Sequence, residues 1–289
     1  MSIATTASTG LPATATTGSI RTVLGRVLLT LIVCAVAGVA APSSALAQER
    51  GARDFRWSKT LPAGQWVRIH NISGDVTVTA TDGDGVEVVG IRRGGGGYDE
   101  DDVRVDVHEG HDGVTICALW GEESWCDDRG SHIESHRDGR RRRGSIDFQV
   151  RLPRRLKLSA NSVSGDVEVN GAGDEVRARS VSGDVNLERL RVPSVTAASV
   201  SGDVEVQIDA LTGGGALRFT SVSGNVSLQL PRSLDADVTL RTVSGELESD
   251  FQLTLQGGMS RRNLNGRIGR GGRDLVLTTV SGDVRLRAR

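Results

Sequence analysis

Apolar residues recur at fixed distances from a glycine in a six-residue motif that the chain repeats. The motif reads S-V-S-G-D-V at 162–167, 180–185 and 199–204, and close variants begin at 71, 221, 242 and 279. Counted from the glycine, apolar residues lie seven, five and two positions before it and two and four after it, and a small polar residue lies three before it. The glycines of the clear copies are Gly74, Gly165, Gly183, Gly202, Gly224, Gly245 and Gly282.

This spacing predicts two strands joined by a corner. Apolar residues two apart indicate a strand with one buried face. The phase changes between positions minus three and minus two, which predicts a bend or bulge that turns both apolar sets inward. Glycine permits the unusual backbone that such a corner needs, and the flanking Ser and Asp can bond its amides.

The corners return at a nearly constant interval. Consecutive glycines from Gly165 to Gly245 are 18, 19, 22 and 21 residues apart, and the following 37-residue gap accommodates a degenerate copy, N-L-N-G-R-I at 263–268, around Gly266. The fold predicted is an all-β, single-stranded β-solenoid of about 20 residues per coil. Its interior ladder is expected to contain Val76, Val167, Val185, Val204, Val226, Leu247, Ile268 and Val284.

The pattern divides the chain into four parts. We assign 1–47 to a signal peptide, 48–66 to a lead-in, 67–150 to irregular β coils and 151–289 to regular repeats, with 67–289 one continuous domain. In the irregular part, strands are expected at 86–88, 103–107, 114–116 and 146–150, and loops at 92–102 and 121–145. An antiparallel sandwich is the alternative, but it does not explain the recurring corner.

Composition agrees with thin, repetitive layers, because only 3% of the residues are aromatic. The formal charge is −1, and removal of the first 47 residues, which carry Arg21 and Arg26 and no acid, changes it to −3. This balance indicates a soluble protein and gives no sign of a polyanionic partner.

The N-terminus has the features of an export signal. Arg21 and Arg26 precede an apolar run from 27 to 41, and Ala45-Leu46-Ala47 suits cleavage before Gln48. An uncleaved membrane anchor is the alternative, although the run is shorter than the ~20 residues that span a bilayer. We therefore expect no stable membrane span after cleavage.

Two cysteines remain after cleavage, Cys117 and Cys126. In an oxidising compartment such a close pair is most simply a disulfide. The alternative is a metal site that recruits histidines with ligand-like spacing, namely His108, His111, His132 and His136.

The leader, the cysteine-containing strand region, the Leu152-Pro153 step and the serial S-V-S-G-D-V copies together resemble the bacterial putative-adhesin family, a domain of unknown function. The resemblance covers about 54–289. It implies a right-handed β-helix and an extracytoplasmic address, and it supplies no catalytic motif.

Two sets of charged residues are candidates for binding. The acids after the repeat glycine, above all Asp166, Asp184 and Asp203, either cap the corners or hold calcium, and capping is the preferred interpretation. A basic run in the second loop could bind anionic lipid, glycan or nucleic acid, although nearby acids favour a solvated loop. Its residues are Arg137, Arg140, Arg141, Arg142 and Arg143.

The sequence thus predicts a non-enzymatic protein without cofactors, periplasmic, secreted or on the cell surface, that binds an envelope or surface partner but not nucleic acid. No histidine follows His136, so the regular repeats lack a Ser-His pair. One alternative is a self-assembling scaffold, since the chain stops after a corner and an uncapped end would allow end-to-end homo-oligomers. The less favoured one is a polysaccharide-acting enzyme.

Overall fold

Every regular element of the described chain is a β-strand, as the alternation of apolar and polar residues predicts. The computed structural model describes residues 54–93, 103–121, 123–132, 144–256 and 260–289. The strands are β1 Asp54–Thr60, β2 Trp66–His70, β3 Val76–Thr81, β4 Gly85–Arg93, β5 Val103–Gly110, β6 Gly113–Trp120, β7 Trp125–Asp127, β8 Gly130–His132, β9 Ser145–Pro153, β10 Lys157–Ser164, β11 Val167–Ala172, β12 Val176–Ser182, β13 Val185–Val192, β14 Val195–Ser201, β15 Val204–Leu211, β16 Leu217–Thr220, β17 Val226–Leu230, β18 Ala236–Arg241, β19 Leu247–Ser249, β20 Thr254–Leu255, β21 Asn263–Ile268, β22 Asp274–Thr278 and β23 Val284–Ala288.

The strands form two large sheets and one small hairpin. The first sheet has the order β1-β4-β9-β3-β11-β13-β15-β17-β23-β19, and the second has the order β20-β21-β18-β22-β16-β14-β12-β10-β2-β6-β5. Strands β7 and β8 pair with each other only. The four strands expected between 78 and 150 are present as β4, β5, β6 and β9 and belong to the two large sheets.

Each repeat crosses from the second sheet to the first at its glycine corner and returns through a short turn. Strand β10 is followed by the corner at Gly165 and then by β11, and the next coil repeats this path with β12 and β13. Neighbouring coils pair in parallel, with Val167 opposite Val185 and Val185 opposite Val204. The in-register ladder is therefore present, and the antiparallel sandwich interpretation is wrong for the repeats.

One apolar cluster fills the space enclosed by the two sheets. Its members are the inward residues of both, among them Val67, Leu158 and Val176 from the second sheet and Val76 and Val167 from the first. Each of these five side chains is fully buried. Because a buried aliphatic side chain contributes roughly 1.5–3 kcal/mol, the stacked ladders supply most of the stabilisation.

The coils do not stack in the order of the sequence. Strand β23 lies between β17 and β19, and β22 lies between β16 and β18. The coil of β18 and β19 comes before that of β22 and β23 in the sequence. In space, however, the coil of β22 and β23 lies between it and the coil of β16 and β17. The last coil along the sequence is an interior coil of the stack.

Gly266 is not a repeat corner, so this assignment needs correction. It lies inside β21, which runs antiparallel to β18, and Ile268 pairs with Ala236 rather than with a ladder valine. The segment matches the motif in residue types only. It lies beyond β18, next to the end of the second sheet, and pairs there as an antiparallel strand.

The ends of the sheets also differ from a stack that stops after its final corner. Antiparallel strands form three of the four ends, namely β1, β5 and β20, and parallel β19 forms the fourth. The prediction that the coil after Gly282 ends the stack, on which end-to-end assembly was based, is therefore wrong. Assembly through the ends itself stays a prediction.

The segment proposed as a signal or anchor, 1–47, lies outside the described residues. Within the ranges given above, no helix has the length and apolar character needed to cross a membrane.

Candidate functional site

The repeated corner is held by a buried polar side chain three positions before the glycine. Ser180 Oγ donates to the carbonyl oxygen of Gly165 at 2.8 Å, and Ser199 Oγ donates to that of Gly183 at 2.8 Å. Both serines are buried. Each hydroxyl thereby ties its coil to the preceding one and satisfies a polar group that would otherwise be costly to bury.

The valine two positions before the glycine points outward, contrary to the inward orientation predicted. Alternation simply continues through positions minus seven, minus five and minus three, so Leu158, Ala160 and Ser162 are buried and Val163 is exposed. A satisfied buried serine makes the predicted bulge unnecessary. The chain bends later, at the glycine.

These valines form one continuous row, here called the valine row. Its members occupy the same position in adjacent coils and are between 42% and 60% exposed: Val163, Val181, Val200, Val222, Val280 and Val243, in spatial order. Five steps of about 4.8 Å give the row a length of about 24 Å. Isolated exposed valines are ordinary, but an aligned set is a contiguous apolar strip of the kind that marks interaction sites.

The acidic residues after the glycines form a second column beside the valine row. Asp203 N–H donates to Asp184 Oδ1 at 2.7 Å, and Asp184 N–H donates to Asp166 Oδ1 at 2.8 Å. Asn225 continues the column with its own amide oxygen, which accepts from Asp283 N–H at 3.0 Å. Each side chain therefore bonds the backbone of the next coil, which is the geometry of corner capping.

The described acidic side chains of the column are not grouped as ligands for calcium. Where the structure describes the chain, no group of three or more His, Cys, Asp or Glu side chains is placed to hold a metal ion. The carboxylates of neighbouring coils each satisfy a backbone donor, and this contact persists where Asn225 replaces the acid.

Capping predicts distinct effects for two substitutions of Asp184. Asp184→Asn keeps the accepting oxygen, and we expect its free energy of unfolding to stay within about 0.5 kcal/mol of the parent, whereas Asp184→Ala should lose about 1 kcal/mol. Urea unfolding with and without millimolar calcium measures both. A calcium-dependent rise in stability that both variants lose would instead establish a metal site.

The predicted disulfide is present and fastens the β7–β8 hairpin onto the outer face of the second sheet. Cys117 in β6 and Cys126 in β7 are joined, with their Cα atoms 6.0 Å apart. Gly130 lies against the ring of His70, since a Cβ at this position would come within 2.7 Å of the imidazole. The hairpin thus covers part of β2 and β6.

Burial under this hairpin, together with the positive charge of Arg68, lowers the pKa of His70 from 6.5 to about 4, although the charge of Asp127 acts in the opposite direction. His70 is therefore uncharged at neutral pH. His70 was not among the histidines of the alternative metal site. Two that were pair with acids instead, His132 with Asp127 at 3.0 Å and His108 with Asp128 at 3.3 Å.

Several predicted features lie outside the described residues. These are residues 94–102 of the first loop, residues 122 and 133–143 of the second, and with the latter His136 and the basic residues Arg137, Arg140, Arg141, Arg142 and Arg143. Their role in binding stays a prediction.

Strand pairing also creates a cluster that the sequence did not reveal. Trp66 in β2 lies beside β10 because these strands pair in parallel, and the side chains of Arg68, Lys157 and Arg177 surround its indole ring. These residues are up to 111 positions apart, Trp66 to Arg177. The repeat rule assigned the early copy at Gly74 to the same ladder, and extending this register to the outward positions would have located the cluster.

Together these observations define a β-solenoid-like, all-β domain with repeated capped corners. A family profile, Toastrack DUF4097, matches residues 63–287, and the chain belongs to this family. The resemblance seen in the repeats is thereby confirmed.

Two solved structures are similar over most of the chain. One, described as a putative cell adhesion protein from Clostridium sporogenes, shares 8% identity with a TM-score of 0.48, over 82% of this chain and 100% of the other. The second, a putative adhesin from Bacteroides fragilis, shares 12% identity with a TM-score of 0.37, over 82% and 97% respectively. No curated protein sequence matches the chain.

Proposed function

We propose that this protein is an exported, non-enzymatic binding module that holds a protein partner of the cell envelope or surface along its valine row. The observation that carries the proposal is the exposure of six aligned valines on a chain whose apolar residues on the inward side of the repeats are buried, Leu247 in part and the others fully. Export is supported by the leader sequence and by the disulfide, which is typical of oxidising compartments.

The neighbouring acids define the chemistry of the partner. The column beside the row carries Asp166, Asp184, Asp203, Asp283 and Glu246, and it contains no base. A partner that presents an apolar strip flanked by Lys or Arg would match both features. Acid-rich partners would be repelled, so the valine row and the acidic column together select a partner by charge as well as by apolar contact.

A purely structural role for the valines makes a different prediction. β-Branched residues on an exposed strand position also stabilise the sheet through contacts with the equivalent residue of the next strand. Threonine keeps the β-branch and the shape and replaces one methyl group by a hydroxyl. Val→Thr substitution therefore removes apolar surface while it largely retains the structural contribution.

The experiment uses the mature chain, residues 48–289, with Val181→Thr, Val200→Thr and Val222→Thr combined. We expect the unfolding midpoint to stay near that of the parent and co-sedimentation with isolated envelope fragments to weaken at least about tenfold, since three apolar contacts are lost. The control combines Val89→Thr and Val276→Thr, which are outward positions on the two broad faces. Equal sedimentation of the triple variant and the parent would contradict the proposal.

The absence of an enzymatic role is part of the same proposal. Among the described residues, the acids in the two open depressions near Arg273 and near Lys59 are engaged in ion pairs, since Asp235 pairs with Arg270 at 2.9 Å and Glu109 with Lys59 at 2.6 Å. We also propose a coil of about 20 residues, because paired valines of neighbouring coils are 18, 19 and 22 positions apart in the sequence. The right-handed coil is proposed from the family resemblance.

A further inference from the structure

Positive charge is concentrated on part of one broad face of the stack, although the net charge of the chain is only −1. Outward positions on the central strands of the first sheet carry both signs, with Glu168, Glu188 and Glu205 beside Arg189 and Arg191. The corresponding part of the second sheet carries the Trp66 patch, which we define as Trp66, Arg68, Lys157, Arg177, Arg179 and Arg218. Even a nearly neutral chain can therefore attract a polyanion to one face.

Three cations of the patch share one indole ring. The centroid of Trp66 lies 4.5 Å from Arg177 Cζ, 5.5 Å from Lys157 Nζ and 5.6 Å from Arg68 Cζ. The indole attracts each cation, but the cations repel one another. An anion placed among them would relieve this repulsion.

Acids neutralise only part of this charge. Arg68 pairs with Asp112 at 2.5 Å, and Glu175 pairs with Arg177 at 2.7 Å and with Lys157 at 3.9 Å. Five cations and two acids leave a surplus of three positive charges.

Arg179 and Arg218 supply two of the three surplus charges, and the third comes from Lys157 and Arg177, which share Glu175. Arg179 and Arg218 are exposed and have no acidic partner among the residues that the structure describes. Arg68 Nη1 is buried without a hydrogen-bond acceptor. Because this nitrogen is closed to solvent, an external anion would meet the exposed guanidinium groups of Arg179 and Arg218 instead.

The exposed arginines of the patch, Arg177, Arg179 and Arg218, form a flat array rather than a pocket. Arg177 and Arg218 lie in one row across the sheet, on either side of Thr196, and are therefore two strand spacings or about 9.6 Å apart. Arg179 lies two residues along from Arg177, about 7 Å away. Such spacing suits charges distributed along an extended polymer, which can contact several guanidinium groups at once.

We propose that the Trp66 patch binds a linear, carboxylate-bearing polysaccharide. Guanidinium groups pair with carboxylates in two-pronged hydrogen bonds, which supplies the recognition. Nucleic acid is the less suitable polyanion, because single strands depend on aromatic rings that are open for base stacking and cations already surround Trp66. The patch lies on a broad face, so it acts independently of the valine row.

The test measures binding of polygalacturonate to residues 48–289 by calorimetry at low salt. Arg179→Ser combined with Arg218→Ser removes the two unpaired guanidinium groups, and we expect affinity to fall at least about tenfold, because charge-assisted hydrogen bonds are lost. Glu168→Ser combined with Glu205→Ser, on the opposite face, is the control and should not weaken binding. Neutral dextran should not bind to the parent.

Three results would overturn the proposal: no binding of polygalacturonate by the parent protein, equal affinity of the arginine variant, or tighter binding of an oligothymidylate than of polygalacturonate. The last would identify a nucleic-acid site. Unfolding curves establish that the arginine variant is folded. The threonine variant of the valine row should bind polygalacturonate normally, which separates this proposal from the proposed function.

Discussion

Deletion of residues 274–289 is expected to abolish cooperative folding, although it removes only the last 16 residues. The deleted strands β22 and β23 lie between other coils, and their inward residues Leu275, Leu277, Val284 and Leu286 are fully buried. At roughly 1.5–3 kcal/mol for each side chain, the loss is about 6–12 kcal/mol, which equals the whole stability of many domains. Circular dichroism during heating and urea titration of the truncated mature chain measure this effect.

Removal of 54–60 provides the matched control. Strand β1 is an edge strand that pairs only with β4, so its loss should lower the unfolding midpoint and leave a cooperative transition. If the coils stacked in sequence order, the C-terminal deletion would merely shorten the stack. Cooperative unfolding of that truncated chain with a modestly lower midpoint would therefore contradict the interior position of β22 and β23.

Gly165→Ala is expected to destabilise the protein by about 3 kcal/mol, mainly through overlap between adjacent coils. A Cβ at Gly165 would lie 2.1 Å from the carbonyl oxygen of Gly74, and the backbone there has a φ of +148°. The same carbonyl accepts hydrogen bonds from Ser162 and Asn71, so it cannot move without loss of these contacts. Equilibrium urea unfolding gives the difference directly.

Gly214→Ala serves as the comparison for that substitution. A Cβ at Gly214 would meet no atom within 4 Å, and its effect should be within about 0.5 kcal/mol. Equal effects of the two substitutions would mean that neighbouring corners are not in close contact.

The sequence predicted the ladder because burial and alternation are local properties. Val167, Val185 and Val204 each follow a glycine at the same distance, and this distance alone places them in register once the coils stack. The capping role of the aspartates followed from the same reasoning. The disulfide between Cys117 and Cys126 could be predicted from compartment and proximity.

The order of the coils could not be predicted in this way. Corners at Gly224, Gly245 and Gly282 carry nearly the same residues, so each is compatible with every other as a neighbour. The excursion from 231 to 273 decides which of them meet, and apart from the corner at Gly245 its length and turns carry no repeat signal. The false corner at Gly266 arose because residue types were matched there without the preceding buried positions.

The candidate sites depended on residues outside the repeat rule. Unbroken alternation alone would predict the outward orientation of Val163 and its equivalents. It would also bury a serine, which is costly unless the hydroxyl has a hydrogen-bond acceptor, and the sequence did not show one. That acceptor, the glycine carbonyl of the preceding coil, becomes evident only when the coils are stacked. The Trp66 patch likewise requires the pairing of β2 with β10.

Disulfide formation between engineered cysteines in the valine row tests the stacking of corners most directly. Ser223 is bridged to Ser281, and Ser281 to Ser244, so Val222 and Val280 are neighbours while Val222 and Val243 are two strands apart. Parallel neighbours at about 4.8 Å can form a disulfide, and residues about 9.6 Å apart cannot. Mass spectrometry of peptides from oxidised residues 48–289 should find a crosslink with Val222→Cys and Val280→Cys but none with Val222→Cys and Val243→Cys; the reverse result would contradict an interior last coil, and crosslinks in neither pair would contradict stacked corners.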